Sequence, residues 1–239
     1  MPACRCDSSR SSCARFGCMH NFGHFRGKGG GVRLKWKLLF NVIAVFVVIA
    51  SGGVASADPA RSHGLVVTPN LPPVPEPRIA VSGARILPYL QQIQTEDQWC
   101  WAANGSSIAT YLNRPIGQRE YCELVHGATA EGCPNAAASL EQIAAAFRKI
   151  GFTAAVGAPL SMTQVVTEIS ANRPILTGIA WTAGGGHAQV IYGFDADAGT
   201  ITYGDPWPTS RRSVTRTLDS YSRNPDWVWF GEDYGIVAG

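Results

Sequence analysis

The feature that most constrains the fold is a change of periodicity in the second half of the 239-residue sequence. Between residues 84 and 174, apolar residues recur at helical spacing behind polar capping residues. Beyond Pro174, short runs of β-branched and aromatic residues alternate with turns. Helices followed by antiparallel strands favour the α+β class. We therefore predict an N-terminal helical half packed on a C-terminal antiparallel β-sheet.

Three helices are expected in the first half. Residues 100–112 form a predicted helix that ends before Pro115, because a residue ahead of proline is driven out of the helical region. Ser139 and Ser161 each precede a glutamine by three residues, which is the capping-box pattern. A glycine ends the first of these two helices, and a proline follows the second.

The second half contains four predicted strands, at residues 175–181, 188–194, 200–203 and 227–230. Residues 197–199 have the composition of a hairpin turn. The second and third strands should therefore pair antiparallel.

The first 57 residues do not resemble a globular domain. Residues 1–31 are predicted to be disordered or to precede the true translation start, because they show no apolar periodicity. Residues 32–57 combine basic residues, an apolar run and small residues in the order of a secretory signal. The run 38–50 is shorter than the roughly 20 residues that span a bilayer, although a retained anchor is the alternative. We predict cleavage after Ala57 and secretion.

Residues 58–83 are rich in proline, which denies the backbone the donors that a strand needs. This segment is predicted to be a linker or a short pro-like arm. The sequence contains no internal repeats, so residues 84–239 are predicted to form one domain. After Ala57 the chain has 12 Lys and Arg against 16 Asp and Glu, or 12 − 16 = −4, which does not favour nucleic-acid binding.

Three cysteines follow the predicted cleavage site, an odd number for an oxidising compartment. The economical interpretation pairs Cys122 with Cys133 and leaves Cys100 as a thiol. A zinc site of Cys122, His126 and Cys133 is the alternative, but it lacks a fourth ligand and the usual spacing. We expect His126 to be a helix C-terminal residue.

Cys100 stands between two tryptophans at the predicted start of the first helix. Helix N-terminal amides and a nearby imidazolium stabilise a thiolate, the nucleophilic form of cysteine. Gln94 precedes Cys100 by six residues, so its amide can join the Cys100 N–H in binding an oxyanion. An inert buried cysteine is the structural alternative.

The segment around Cys100 resembles the papain superfamily, because a glutamine six residues before the cysteine and a tryptophan directly after it match the papain active-site helix. The string QWCWAA is similar to a compact bacterial branch that includes plant-pathogen effector proteases, and to leader-cleaving peptidases of bacteriocin exporters. Asp97 replaces the first cysteine of the papain signature, so the disulfide of that site is absent. The resemblance covers about Gln91 to Pro208 and implies a papain-like fold.

His187 follows three glycines and begins an apolar strand. Glycines let the backbone approach a cleft, so this histidine should face the helix that carries Cys100. Asp205 ends the following strand, and a hairpin returns the chain to the level of His187. We predict that Asp205 orients the imidazole. Asp195 is the rival, but it lies near the far end of the hairpin.

Papain-like enzymes commonly carry asparagine at the orienting position, with a tryptophan two residues later that covers the pair. The resemblance therefore implies that Asp205 replaces this asparagine and that Trp207 is the cover. The separation of cysteine and histidine, 187 − 100 = 87 residues, is shorter than the roughly 130 of papain, which implies fewer specificity loops.

The predicted function is peptide-bond hydrolysis by a secreted, monomeric cysteine endopeptidase through Cys100, His187, Asp205 and Gln94. It involves a thioester acyl-enzyme and neither metal nor organic cofactor. The predicted partner is a peptide or protein substrate, with no nucleic acid and, after signal cleavage, no membrane. Two alternatives stay open: an inactive papain-like module that binds peptides, and an acyl transferase or amidase with the same triad.

Overall fold

A computed structural model describes residues 64–77 and 81–239, which belong to one compact unit, residues 52–239. The predictions for residues 1–31 and for the signal peptide at 32–57 lie outside the described residues. Within the described ranges, no helix has the length and apolar character needed to cross a membrane.

The fold consists of five helices and one sheet in the described part of the chain. The helices are α1 (Cys100–Tyr111), α2 (Gln118–His126), α3 (Leu140–Lys149), α4 (Met162–Ser170) and α5 (Leu218–Ser222). The strands are β1 (Ala84–Ile86), β2 (Phe152–Gly157), β3 (Ile175–Trp181), β4 (Gly186–Asp195), β5 (Thr200–Gly204), β6 (Val214–Thr217) and β7 (Trp227–Ala238).

The strands form one antiparallel sheet in the order β2-β7-β3-β4-β5-β6, with β1 paired to β4. Because the first four helices all precede the last five of the seven strands, and the sheet is antiparallel, the predicted α+β class is confirmed. The α1 helix packs against β4, which brings the helix that begins at Cys100 beside the strand that begins at Gly186.

Both predicted capping boxes are present. The hydroxyl of Ser139 accepts a hydrogen bond from the amide of Gln142 (3.3 Å), and that of Ser161 accepts one from Gln164 (3.4 Å). Each glutamine side chain in turn accepts from the backbone amide of its serine. These local interactions place the starts of α3 and α4 where the sequence predicted them.

The structure differs from the sequence prediction at the edges of the sheet. The strand predicted at 227–230 continues to Ala238, because the chain beyond Phe230 pairs with β2, a strand that the sequence analysis did not predict. The acidic residues Glu232 and Asp233 interrupt its apolar pattern, although both are buried. Pairing with a distant strand therefore overrides the local pattern.

Burial controls the ionisation of the two adjacent acids of β7. Burial, together with the negative charges of Asp233 and Glu168, raises the pKa of Glu232 from 4.5 to about 10. Burial also raises the pKa of Asp233 well above its ordinary value. Burial therefore favours the uncharged form of both side chains.

We expect Glu232→Gln to weaken the pH dependence of folding stability. Because the pKa is raised in the folded state, the stabilisation from this proton is complete below about pH 4.5 and is lost as the pH rises towards about 10. One such proton lowers the free energy of unfolding by up to about 1.4 kcal/mol per pH unit. Urea unfolding between about pH 5 and pH 9 should show a shallower decline for this variant than for the wild type. The exposed Glu120→Gln should keep the wild-type decline, and an equal decline in both variants would contradict the neutral state of Glu232.

Residues 64–77, within the predicted linker 58–83, form an extended arm on the surface of the domain. The amide of Val66 donates to the carbonyl of Ala138 (2.8 Å). The side-chain amide of Gln164 donates to the carbonyl of Val74 (2.5 Å). Over these residues the segment is an attached arm and not a free tether.

Candidate active site

The cysteine lies at the N-terminus of a buried helix, as predicted. Cys100 is the first residue of α1, and every residue of this helix from Cys100 to Ala109 is buried. Close packing requires a glycine at position 105, because any side chain there would meet the ring of Tyr121. The helix is therefore fixed tightly in the core, and so is the position of its first residue.

The two tryptophans beside the cysteine fasten the start of the helix to a loop. The indole N–H of Trp99 donates to the carbonyl of Pro134 (2.9 Å), and that of Trp101 donates to the carbonyl of Ala136 (3.1 Å). The amide of Gln98 donates to the side chain of Asn135 (2.8 Å). These hydrogen bonds give the tryptophans a positioning role that the sequence pattern alone did not show.

The loop that holds the tryptophans follows Cys133 directly. The sulfur atoms of Cys122 and Cys133 lie at bonding distance, with their Cα atoms 6.0 Å apart. His126 is the last residue of α2, as predicted, and its ring meets that of Trp101 edge-on at 5.3 Å. The structure therefore uses His126 in packing and the two cysteines as a pair.

The Cys100 sulfur lies against the start of β4. It accepts a hydrogen bond from the backbone amide of Ala188 (3.3 Å). The neighbouring side chain, His187, interacts with the cysteine, and this interaction helps to raise the pKa of His187. Both side chains are fully buried in the structure. The structure thus brings together the predicted nucleophile and the predicted base, which lie 187 − 100 = 87 residues apart.

Asp205 binds the other side of the imidazole. Its Oδ1 lies 2.9 Å from His187 Nε2, so Nδ1 is the ring nitrogen on the cysteine side. The rival Asp195 instead accepts a hydrogen bond from the amide of Ala198 (2.9 Å) and caps the hairpin turn. Of the two carboxylates considered from the sequence, Asp205 is the one that contacts the histidine.

Three further groups hold Asp205 in place. The amide of Trp207 donates to Oδ1 (2.8 Å), and the side chain of Gln189 donates to Oδ2 (2.9 Å). Arg212 donates to the backbone carbonyl of Asp205. Sequence reasoning missed Gln189 and Arg212, although Gln189 stands two residues after His187 and so shares its face of the strand.

The buried pair of His187 and Asp205 favours the charged forms of both groups. Burial alone would lower the pKa of His187, but the carboxylate of Asp205 and the contact with Cys100 outweigh it and raise the pKa to about 10. Burial alone would raise the pKa of Asp205, but the imidazolium and the donors from Trp207 and Gln189 lower it to about 2. An imidazolium beside the Cys100 sulfur is the charge that stabilises a thiolate.

Gln94 is buried close to the turn that leads into α1. Its side-chain N–H groups donate to the carbonyls of Glu96 (2.8 Å) and Asp97 (3.0 Å). Its backbone N–H donates to the carbonyl of Pro206 (2.9 Å). Gln94 therefore links the turn before the cysteine to the loop after Asp205. Its role as an oxyanion donor stays a prediction, since both donors have carbonyl acceptors in this state.

We expect Asp205→Asn to move the alkaline limb of the pH profile of kcat/KM to lower pH. The substitution removes the carboxylate that raises the pKa of His187, so burial lowers this pKa with less opposition. The imidazolium then deprotonates at lower pH. Initial rates between about pH 5 and pH 10 would measure the shift.

Asp195→Asn, a change of the same kind in the hairpin turn, is the control and should leave the alkaline limb in place. An alkaline limb that is the same in Asp205→Asn and wild type would contradict the coupling of Asp205 to His187.

A thiol on a helix N-terminus, facing a histidine and carboxylate carried by an antiparallel sheet, defines a papain-like cysteine peptidase. Residues 81–226 match the family described as papain-like cysteine protease AvrRpt2, and the chain belongs to that family. No match was found among curated proteins.

Several solved structures are similar to this chain. Xylellain, a cysteine protease from Xylella fastidiosa, is 11% identical over 74% of this chain and 96% of its own, with a TM-score of 0.47. A putative C39-like peptidase from Bacillus anthracis is 12% identical over 64% and 96%, with a TM-score of 0.47. The peptidase domain of Streptococcus ComA, a bi-functional ABC transporter involved in a quorum sensing pathway, is 15% identical over 63% and 99%, with a TM-score of 0.46.

Proposed function

We propose that this papain-like peptidase is a secreted endopeptidase that hydrolyses peptide bonds through a triad of Cys100, His187 and Asp205. The observation that carries the proposal is the continuous contact from sulfur to imidazole to carboxylate. Such a chain activates a thiol as a nucleophile and supplies the proton that a leaving amine needs.

In the proposed acylation, the Cys100 thiolate attacks the substrate carbonyl carbon and a tetrahedral oxyanion forms. The imidazolium of His187 then gives its Nδ1 proton to the amine nitrogen, the C–N bond breaks, and a thioester remains on the sulfur. In deacylation, neutral His187 removes a proton from water as the water oxygen attacks the thioester. The acid departs and the thiolate returns beside the imidazolium, while Asp205 holds the ring throughout.

Two donors are proposed for the oxyanion, the backbone N–H of Cys100 and the side-chain amide of Gln94. The second requires Gln94 to exchange a carbonyl of the turn for the substrate oxygen. We expect Gln94→Ala to lower kcat by about a hundredfold, which is the cost of losing one oxyanion donor. The rate of Cys100 alkylation by iodoacetamide should change little, because no oxyanion forms in that reaction. Equal losses in both rates would show that Gln94 acts on the cysteine itself.

Export from the cell is part of the proposal. The signal-like residues 32–57 support secretion with cleavage after Ala57, which would remove the apolar run from the mature chain. We further propose that the mature chain acts as a monomer. A disulfide between Cys122 and Cys133 is consistent with an oxidising destination, and it would brace the loop that holds the two tryptophans. N-terminal sequencing of the exported protein would test the cleavage position, and mass spectrometry with and without reduction would test the disulfide.

Cleavage of a peptide library, read by mass spectrometry, tests the proposed function. We expect hydrolytic products with new termini, and labelling of Cys100 by iodoacetamide near neutral pH that a peptide aldehyde prevents. An unreactive Cys100 with no cleavage would favour the inactive peptide-binding module. Products joined to an added amine would favour the acyl transferase.

A further inference from the structure

A cavity of about 450 Å³ adjoins the histidine side of the candidate active site. His187 and Asp205 line this cavity, whereas Cys100 is not among its lining residues. In the proposed reaction the acyl half of the substrate stays on the Cys100 sulfur, and the departing amine takes its proton from His187. The cavity adjoins the residue that would protonate the leaving amine and not the sulfur that would hold the acyl half, so the leaving half is the part of the substrate nearest to it in the proposed reaction.

Aromatic rings form the walls of the cavity. The ring of Trp181 stacks on that of His187, with centroids 5.9 Å apart and planes inclined by 22°. Trp227 meets Trp181 edge-on at 5.6 Å. Such walls bury the apolar stem of a side chain and leave its polar end to other partners.

The exposed charges of the cavity are mainly positive. Arg211 and Arg216 both line it, and neither forms an ion pair with any residue that the structure describes. The guanidinium of Arg216 lies 4.7 Å from the centroid of the Trp227 ring, which holds it beside the wall. Asp226 is the one exposed acid of the lining. The other acid of the lining, Asp205, is paired with His187.

Arg212, which follows Arg211 in the sequence, has a structural role. Arg212 donates to the carbonyls of Trp207 (2.5 Å) and Pro208 (2.8 Å) and so shapes the loop that borders the cavity. Arg211 is exposed on the same loop. Arg212 therefore stabilises the loop, whereas Arg211 faces the cavity.

We propose that this cavity is a specificity pocket for the leaving half of the substrate, and that Arg211 and Arg216 select an aspartate or glutamate shortly after the scissile bond. The carboxylate would pair with the arginines while its methylene stem lies against the tryptophans. This inference rests on the proposed peptidase function and names the substrate class for its leaving side.

Quenched fluorescent peptides test the inference. They are built on a sequence that the enzyme cleaves and differ only in Asp, Asn or Lys at the first or second residue after the scissile bond. For the wild type we expect kcat/KM to be about fivefold to tenfold higher with Asp than with Asn at one of the two positions, and lowest with Lys. Added salt should reduce the preference, since the rim is open to solvent.

Charge-reversed variants assign the preference to residues. Arg211→Glu and Arg216→Glu should each abolish the preference for Asp or turn it towards Lys. Arg119→Glu, at an exposed position on α2, is the matched control and should keep the wild-type order. Arg211 is exposed, so its variant tests the inference even if the loss of the Arg216 contact with Trp227 weakens the fold.

Cleavage without any preference for acid, or a preference that survives in the Arg211 and Arg216 variants, would overturn this inference and leave the peptidase function intact. Failure of the wild type to cleave any peptide would overturn the proposed function, and the inference with it.

Discussion

Replacing Cys100 with serine is expected to lower kcat/KM for peptide hydrolysis by at least about 10⁴-fold, because the nucleophile of the proposed triad is lost. Serine is a more informative substitution than alanine, since its hydroxyl can still accept the hydrogen bond that the Ala188 amide donates to the sulfur. Cys100→Ala leaves this buried N–H without an acceptor, at a cost of about 1–3 kcal/mol in folding stability. The serine variant therefore separates chemistry from stability.

Hydrolysis is measured on a quenched peptide, and the fold is checked by circular dichroism and by the thermal midpoint. The expected outcome is a wild-type fold without measurable turnover. Turnover within about tenfold of the wild type in a folded Cys100→Ser protein would remove Cys100 as the nucleophile.

Replacing His187 with alanine is expected to lower kcat/KM by about 10³-fold to 10⁴-fold and also to slow alkylation of Cys100. Both losses have one cause. The imidazolium that stabilises the thiolate is gone, and so is the proton for the leaving amine. The effect on alkylation distinguishes a catalytic base from a histidine that only shapes the substrate cleft.

His126→Ala is the matched control, because His126 is the other histidine in the described part of the chain. Its ring packs edge-on against Trp101, whereas the ring that is hydrogen-bonded to Asp205 is that of His187. We expect this variant to keep its kcat/KM within about threefold. If His126→Ala lost as much activity as His187→Ala, or if alkylation were unaffected in His187→Ala, the assignment of the base would be wrong.

Local patterns in the sequence predicted much of the fold. The capping boxes at Ser139 and Ser161 depend on residues three positions apart, so the chain itself carries the information. The helix start at Cys100 and the hairpin turn after Asp195 are likewise local. By contrast, β2 and most of β7 could not be predicted, because each depends on a partner that is distant in the sequence.

The members of the candidate site could be proposed from the sequence because the chemistry requires their residue types. Gln189 and Arg212 were missed since they act on Asp205 and not on a substrate, and only contacts in space reveal them. Gln94 shows the converse case. Its spacing suggested a donor to the oxyanion, whereas in the structure its amide binds the turn before the helix.

The sequence by itself determined which residues could meet, namely a helix-start cysteine and a histidine and aspartate at the same end of a hairpin. The tertiary structure decided that they do. The register of β4 and β5 shifts by one residue between Ile191 and Gly193, so that Val190 pairs with Gly204. Asp205 then lies opposite Gln189 and on the face of His187. Without this bulge, the alternation of side chains along a strand would place Asp205 on the opposite face of the sheet from His187. No local pattern in the sequence indicates where the bulge occurs.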